Sequence, residues 1–230
     1  MRVTLLLLYP PGGPRRQAPS LLPRRRQHDC RAISRWWRPS FGANKGHNGA
    51  TTKSFVEGGD WGVVKGLASD NKADYDVYVT IQFGHNDQKE TSGVTLEQFQ
   101  KNLVNLAGEV RGWGGTPILL TPLTRRSFSN GVATDSLHEE RLATIAAANS
   151  AGVAYLDLNQ ASLKYVNRIG GAAAHAYNLK DGDNTHLNDW GSVVFGRLVA
   201  DLLLEKKPEL KEWIRANETL SALIRNGQPA

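Results

Sequence analysis

The sequence predicts an α/β fold, a parallel sheet covered by helices on both faces. Three observations carry that expectation: short apolar runs rich in β-branched residues recur, amphipathic helical stretches lie between them, and the connections suit strand–helix crossovers. The run VYVTIQF, 77–83, alternates apolar and polar residues and reads as a strand. A helix follows over 95–113, with Leu96, Phe99, Leu103, Leu106, Val110 and Trp113 on one face. Thr95-Leu-Glu-Gln98 offers it a capping box, and Gly114-Gly115 ends it. TPILLT, 116–121, is the second strand. Ser136-Leu-His-Glu139 is a second capping box, expected to open a helix that closes before Gly152. VAYLDL, 153–158, is the third strand, and a shorter helix is expected around 161–169. The last strong helix runs from about Asn188 to Lys207 and stops at Pro208. Its stripe is Trp190, Val194, Leu198 and Leu202, widened by Phe195 and Val199. A weaker helix is expected over 209–224.

Composition bounds the molecule. The 230 residues are 40% hydrophobic and 22% charged, as in a soluble globular protein of one ordinary or large domain. No apolar run approaches the roughly 18–20 residues of a membrane span, which excludes a transmembrane protein. The net charge of +6 is unevenly placed. From Met1 to His47, nine Arg and one Lys face a single acid, Asp29, a balance of +9. Beyond it, 18 Lys and Arg face 21 Asp and Glu, a balance of −3. The chain therefore divides into a basic, Pro/Arg-rich irregular segment, 1–47, and a domain, 48–230. Six of the ten prolines lie in the first part, and no apolar period persists through it. VTLLLLY, 3–9, is the exception. It suits a buried strand, or an incomplete signal segment with Arg2 as its charged start. The Arg clusters read as a solvated basic tail, or as a nucleic-acid arm with Trp36 and Trp37 as stacking platforms. Nothing else in the chain supports the arm, so no nucleic-acid partner is expected, and no membrane. The lone Cys30 excludes an intramolecular disulfide and a Cys-based metal site.

Sites in such sheets form beyond the carboxyl ends of strands, and there the polar clusters fall: Gly84-His85-Asn86-Asp87 and Thr121-Pro-Leu-Thr-Arg-Arg126. Two further stretches stand out, Asn48-Gly49-Ala50-Thr51-Thr52 and Asp183-Asn184-Thr185-His186. An Asp three residues before a His can accept from the imidazole Nδ1–H and fix the tautomer, leaving Nε2 as a general base. An Asn amide and a Gly N–H are donors suited to a developing oxyanion. Taken singly, His186 is more often a surface or helix-capping histidine, and Asn86 and Asp87 more often a capped turn.

In this order the stretches resemble the SGNH, or GDSL-type, hydrolases, whose blocks are Gly-Asp-Ser, a glycine, Gly-x-Asn-Asp and Asp-x-x-His. Gly49 fits the glycine block, Gly84 to Asp87 the third, and Asp183 to His186 the fourth. The wording of Gln82 to Asp87, Thr121 to Arg126 and Thr185 to Asn188 is similar to the rhamnogalacturonan acetylesterase-like branch, and the resemblance runs from about Gly49 to Arg225. It implies a three-layer α/β/α, flavodoxin-like fold with a parallel sheet, and hydrolysis of acetyl esters on pectin side chains. It implies further that His186 is the general base, that Asp183 orients it, and that Asn86 and Gly49 form the oxyanion hole. Arg125 and Arg126 are candidate contacts for galacturonate carboxylates, or two solvated surface arginines. No cofactor or metal is expected, since serine-ester chemistry uses a hydroxyl nucleophile. The family is largely secreted, which implies an extracellular location; Asn217-Glu-Thr219 is a glycosylation sequon, and a monomer is expected.

One block is absent. Gly-Asp-Ser occurs nowhere, and the nearest string, Gly59-Asp60-Trp61, has no serine. The resemblance places the nucleophile at the end of the first strand, roughly thirty residues before the glycine block, where this chain has only Ser20, Ser34 and Ser40 in unrelated contexts. The first strand is thus missing or replaced, and the nucleophile is unassigned. Either the chain is a natural relative without turnover, binding acetylated carbohydrate, or the start as written is frameshifted or mis-spliced.

Overall fold

The computed structural model describes residues 2–8, as backbone, and 41–230. In chain order the elements are β1 (Arg2–Leu8), β2 (Phe41–Asn44), α1 (Thr52–Glu57), α2 (Asp60–Asn71), β3 (Asp76–Gln82), α3 (Leu96–Gly112), β4 (Thr116–Leu120), a small hairpin of β5 (Phe128–Ser129) and β6 (Val132–Ala133), α4 (His138–Ala151), β7 (Ala154–Leu156), α5 (Leu158–His175), α6 (Asp189–Lys206) and α7 (Glu218–Asn226). The main sheet has the order β2-β1-β3-β4-β7.

Strands β3, β4 and β7 run parallel, with Ile81 opposite Leu119 and Leu119 opposite Tyr155. The period-2 alternation of side chains then builds two cores. Val77, Val79, Ile81, Phe83 and Leu119 pack with α1 to α4, around Phe55, Trp61, Phe99, Leu103 and Ala147. Ile118, Leu120 and Leu156 face the other way, onto α5, α6 and α7. The result is the expected three-layer α/β/α sandwich.

The first strand is replaced, and in reverse. β1 lies between β2 and β3, antiparallel to both, with Arg2 opposite Gln82 and Leu8 opposite Asp76. β2 and β3 are therefore parallel to each other, with one reversed strand between them. The carboxyl end of β1 reaches the end of the sheet opposite to the Gly84–Asp87 turn. Both β1 and β2 come from the Pro/Arg-rich segment, so the sheet crosses the 47/48 division. Ser20, Ser34 and Ser40, like Cys30, Trp36 and Trp37, lie outside the described residues.

Several elements differ from expectation for local reasons. Thr95 caps α3 by accepting from the Gln98 N–H at 3.1 Å, but the Gln98 side chain donates to Asn102 instead of returning to the cap. The second capping box does not form: α4 starts at His138 after Leu137, and Ser136 Oγ accepts from Arg125. The helix expected over 161–169 extends over 158–175, because Asp157 caps it and Gly170, at φ 77°, bends it without ending it. α6 is nearly buried all round, from Val193 to Leu203, yet Trp190 of its expected stripe is 48% exposed. The terminal helix splits into a turn of 3₁₀ helix at Pro208–Glu212 and α7. Among the described residues no helix is long and apolar enough to cross a membrane.

Candidate active site

The turn after β3 is built around one special backbone position and one buried carboxylate. Gly84 sits at φ 121°, where a Cβ would approach the Glu140 Cβ to 3.1 Å and the Pro122 ring to 3.3 Å, so only glycine fits. Asp87 is buried. Its Oδ1 accepts from the Thr52 N–H and the Thr52 hydroxyl, each at 2.7 Å, and its Oδ2 accepts from the Gly84 N–H at 3.2 Å. One carboxylate thereby fastens the start of α1 to the turn after β3. Asn102 Nδ2 donates to the same Thr52 hydroxyl at 2.9 Å, and Thr51 caps α1 in a reciprocal capping box with Ser54.

Beside this clamp the Asn86 side chain bonds to the residue that follows Gly49. Asn86 Nδ2 donates one hydrogen to the Ala50 carbonyl at 3.2 Å, next to Gly49, while Lys89 Nζ donates to Asn86 Oδ1 at 2.8 Å and fixes which way the amide points. The second Nδ2 hydrogen has no acceptor among the described residues. Gly49, exposed and at φ 82°, lies in the left-handed region that glycine enters without strain.

Asp183 and His186 form the expected pair. His186 Nδ1 stands 2.9 Å from Asp183 Oδ2 and 3.1 Å from Oδ1. Asp183 Oδ1 also accepts from the backbone N–H of His186 at 2.9 Å and of Thr185 at 3.1 Å. These bonds, the His186 N–H foremost, hold the Asp183 carboxyl down to about 2, so it stays an acceptor. With Nδ1–H committed to Asp183, the bare Nε2 is the basic atom, on a ring 53% exposed to solvent.

His85 is a different kind of histidine. Its Nε2–H donates to the Leu123 carbonyl at 2.8 Å, and burial pushes its pKa down to about 3, so the ring is neutral.

The loop after β4 links the halves of the site. Arg125 Nη1 donates to Ser136 Oγ at 2.9 Å and Nη2 reaches the His85 carbonyl at 3.4 Å; the side chain is partly exposed at the rim. Arg126 is not a solvated surface arginine. It is fully buried, with Nε donating to Asn178 Oδ1 at 2.6 Å and Nη2 to the His186 carbonyl at 2.7 Å. The Arg-Arg pattern could not separate these fates, because the loop turns one side chain outward and the next inward. Sequence reasoning gave Thr52 no role of its own and passed over Glu140, a buried carboxyl group against Gly84 whose pKa burial raises. Among the described residues no cluster of three or more His, Cys, Asp or Glu could hold a metal.

No nucleophile joins this arrangement from β1. Its only hydroxyl residue, Thr4, pairs with Thr80 in the middle of the sheet.

Comparison with known proteins identifies the family. The profile of the GDSL-like Lipase/Acylhydrolase family matches residues 9–193. The rhamnogalacturonan acetylesterase RhgT of Bacillus subtilis (strain 168) is 30% identical over 188 residues, 76% of this chain and 79% of the relative. The probable rhamnogalacturonan acetylesterase YesY of the same organism is 26% identical over 74% of this chain and 80% of its own. Among solved structures, protein YXIM of Bacillus subtilis superposes with a TM-score of 0.61 at 24% identity, covering 69% of this chain but only 44% of that one. The acetylxylan esterase Axe2 of Geobacillus stearothermophilus has a TM-score of 0.50 at 17% identity, over 68% of this chain and 67% of that one. These two likenesses concern the fold. The chain belongs to the GDSL-like lipase/acylhydrolase family of ester hydrolases.

Proposed function

We propose that this chain carries the ester-binding and general-base half of a carbohydrate acetylesterase site of the Ser-His-Asp type, for acetyl esters on an acidic pectin-like polysaccharide outside the cell. The observation that carries the reading is the oriented pair His186–Asp183 at 2.9 Å, in a chain whose Asn86 amide bonds to Ala50, the neighbour of Gly49. In this reading the acetyl carbonyl oxygen accepts from Asn86 Nδ2 and the Gly49 N–H as it gains negative charge, each donor contributing about 10²–10³ in rate. His186 Nε2 takes the proton of the attacking hydroxyl, and Asp183 stabilises the imidazolium that results. Arg125 at the rim supports a carboxylate-bearing substrate.

A second reading is favoured by one feature, the reversed β1. It takes the place the family gives to the nucleophile strand, yet brings no serine to the site end of the sheet. The chain as written then binds acetylated carbohydrate with little turnover; loss of the nucleophile in serine-protease systems costs about 10⁶ in rate. Acetate release from acetylated rhamnogalacturonan by the purified chain separates the two. Fast release abolished by His186→Ala supports the complete enzyme, with the serine supplied from outside the described residues. Acetyl-dependent binding without release supports the second reading. Neither binding nor release contradicts both.

A further inference from the structure

Arg126 heads the large side chains that are fully buried. A guanidinium is costly to remove from water; Arg126 offsets that cost through Nε and Nη2, while its buried Nη1 has no partner among the described residues. No carboxylate lies within salt-bridge reach of Arg126 among the described residues. Its charge is balanced from further away by Asp183, whose field opposes the lowering of the Arg126 pKa to about 10 by burial.

Its hydrogen bonds converge on one loop. Nη2 donates to the His186 carbonyl, which also accepts from the Leu179 N–H at 3.0 Å. The Arg126 backbone N–H donates to the Asn184 carbonyl at 2.8 Å, and the Arg126 carbonyl faces His175 Nε2 at 2.8 Å. Nε holds Asn178 Oδ1, and Asn178 Nδ2 in turn donates to Asn184 Oδ1 at 2.9 Å. The 183–186 loop contains no helix or strand; the isolated bridge from Asn178 to Leu187 lies just beyond its end. Two of its four carbonyl-bearing positions thus hang on a single residue of the neighbouring β4 loop. Arg125, the next residue back, reaches the His85 carbonyl of the opposite half.

We propose that Arg126 is a positioning residue, pinning the main chain of the 183–186 loop so that the His186 ring stays in register with Asp183. Its functional meaning rests on the reading of His186 as the base, but its geometry does not. A planar fork with separate donors spans Asn178 and the His186 carbonyl at once, which a lysine ammonium cannot do.

The experiment uses the full chain and two variants, Arg126→Met and Arg126→Lys, with two NMR readouts at neutral pH. Long-range 1H–15N correlation reports the His186 tautomer, and amide exchange reports the Thr185 and His186 N–H groups that bond Asp183. The native ring is expected as the Nδ1–H tautomer. In Arg126→Met that preference is lost and exchange at Thr185 and His186 rises about tenfold, while the amides of β3 and β4 keep their protection. Arg126→Lys shows the same change in smaller degree, and decides the matter should the Met variant fail to fold. An unchanged tautomer and unchanged exchange in a folded variant overturn the proposal. Acetyl-ester binding, assayed separately on the native chain, can fail while these signals shift; that result keeps the positioning role and removes His186 from ester chemistry.

Discussion

At the scale of single residues, Asp-x-x-His is an ambiguous pattern that this fold uses twice. Asp135 and His138 repeat the spacing, and their side chains also meet, at 3.1 Å. What separates the pairs is invisible in four letters. Asp183 receives two backbone N–H groups besides the ring, and its loop is braced by Arg126. Legibility in the sequence came from the companion blocks around it. The Asp87 clamp was equally hidden, since a buried acceptor for Thr52 depends on a contact 35 residues distant. Asp87→Asn puts an amide donor against three donors and leaves at least one without an acceptor. It is expected to cost about 2–3 kcal/mol in urea unfolding, and to weaken acetyl-ester binding by loosening Asn86 from Ala50. Gly84→Ala forces a Cβ into the left-handed region and onto Glu140, with an expected loss of about 1–3 kcal/mol by the same method.

Histidine 85 makes a residue-scale prediction about pH. Its ring, neutral in the fold with a pKa of about 3, has a reference value of 6.5 when exposed. Between those values the unfolded chain binds a proton that the folded chain does not, so this group makes stability fall as pH drops from 6.5 towards 3. Asp183 acts in a lower window: its depressed carboxyl contributes stability above its ordinary value of 3.8, lost as pH falls through about 2. The His85 Cε1–H resonance is expected to stay at its neutral position through a titration from pH 8 to 5. A midpoint near 6.5 would contradict the burial.

At the scale of elements, regular periods were readable and their ends were not. The strand at 76–82 was legible from its β-branched alternation and that at 116–120 from its short apolar run, which suits a strand with helices on both faces. The short helices α1 and α2 carry no long stripe; α1 is six residues held by its capping box. α4 starts late because tertiary demand overrides local capping: Ser136 has been taken by Arg125. Ser136→Ala is therefore expected to leave α4 intact, within about 0.5 kcal/mol by thermal unfolding, since the hydroxyl does not cap the helix.

At the scale of the whole molecule, charge asymmetry and strand replacement are two views of one stretch. The body beyond His47 carries the helices and the assembled site at a balance of −3, and the +9 segment contributes two strands to its sheet. Sequence composition marked that stretch as foreign, yet could not say that VTLLLL would lie reversed between two parallel strands. A strand that exposes apolar side chains to both layers can pair in either direction, and the hydrophobic period does not encode polarity. Removing residues 1–8 leaves β2 and β3 with unpaired inner edges. The truncated chain is expected to unfold at lower urea and to self-associate in sedimentation, as open edges do.

The most direct test of the ester site is calorimetric titration of the full chain with a rhamnogalacturonan oligosaccharide in acetylated and deacetylated forms. The proposed oxyanion donors Asn86 and Gly49 predict tighter binding of the acetylated form, by about tenfold for roughly 1.4 kcal/mol, and loss of that preference in Asn86→Ala. Equal affinity for the two forms, unaffected by Asn86→Ala, would contradict an acetyl-ester site.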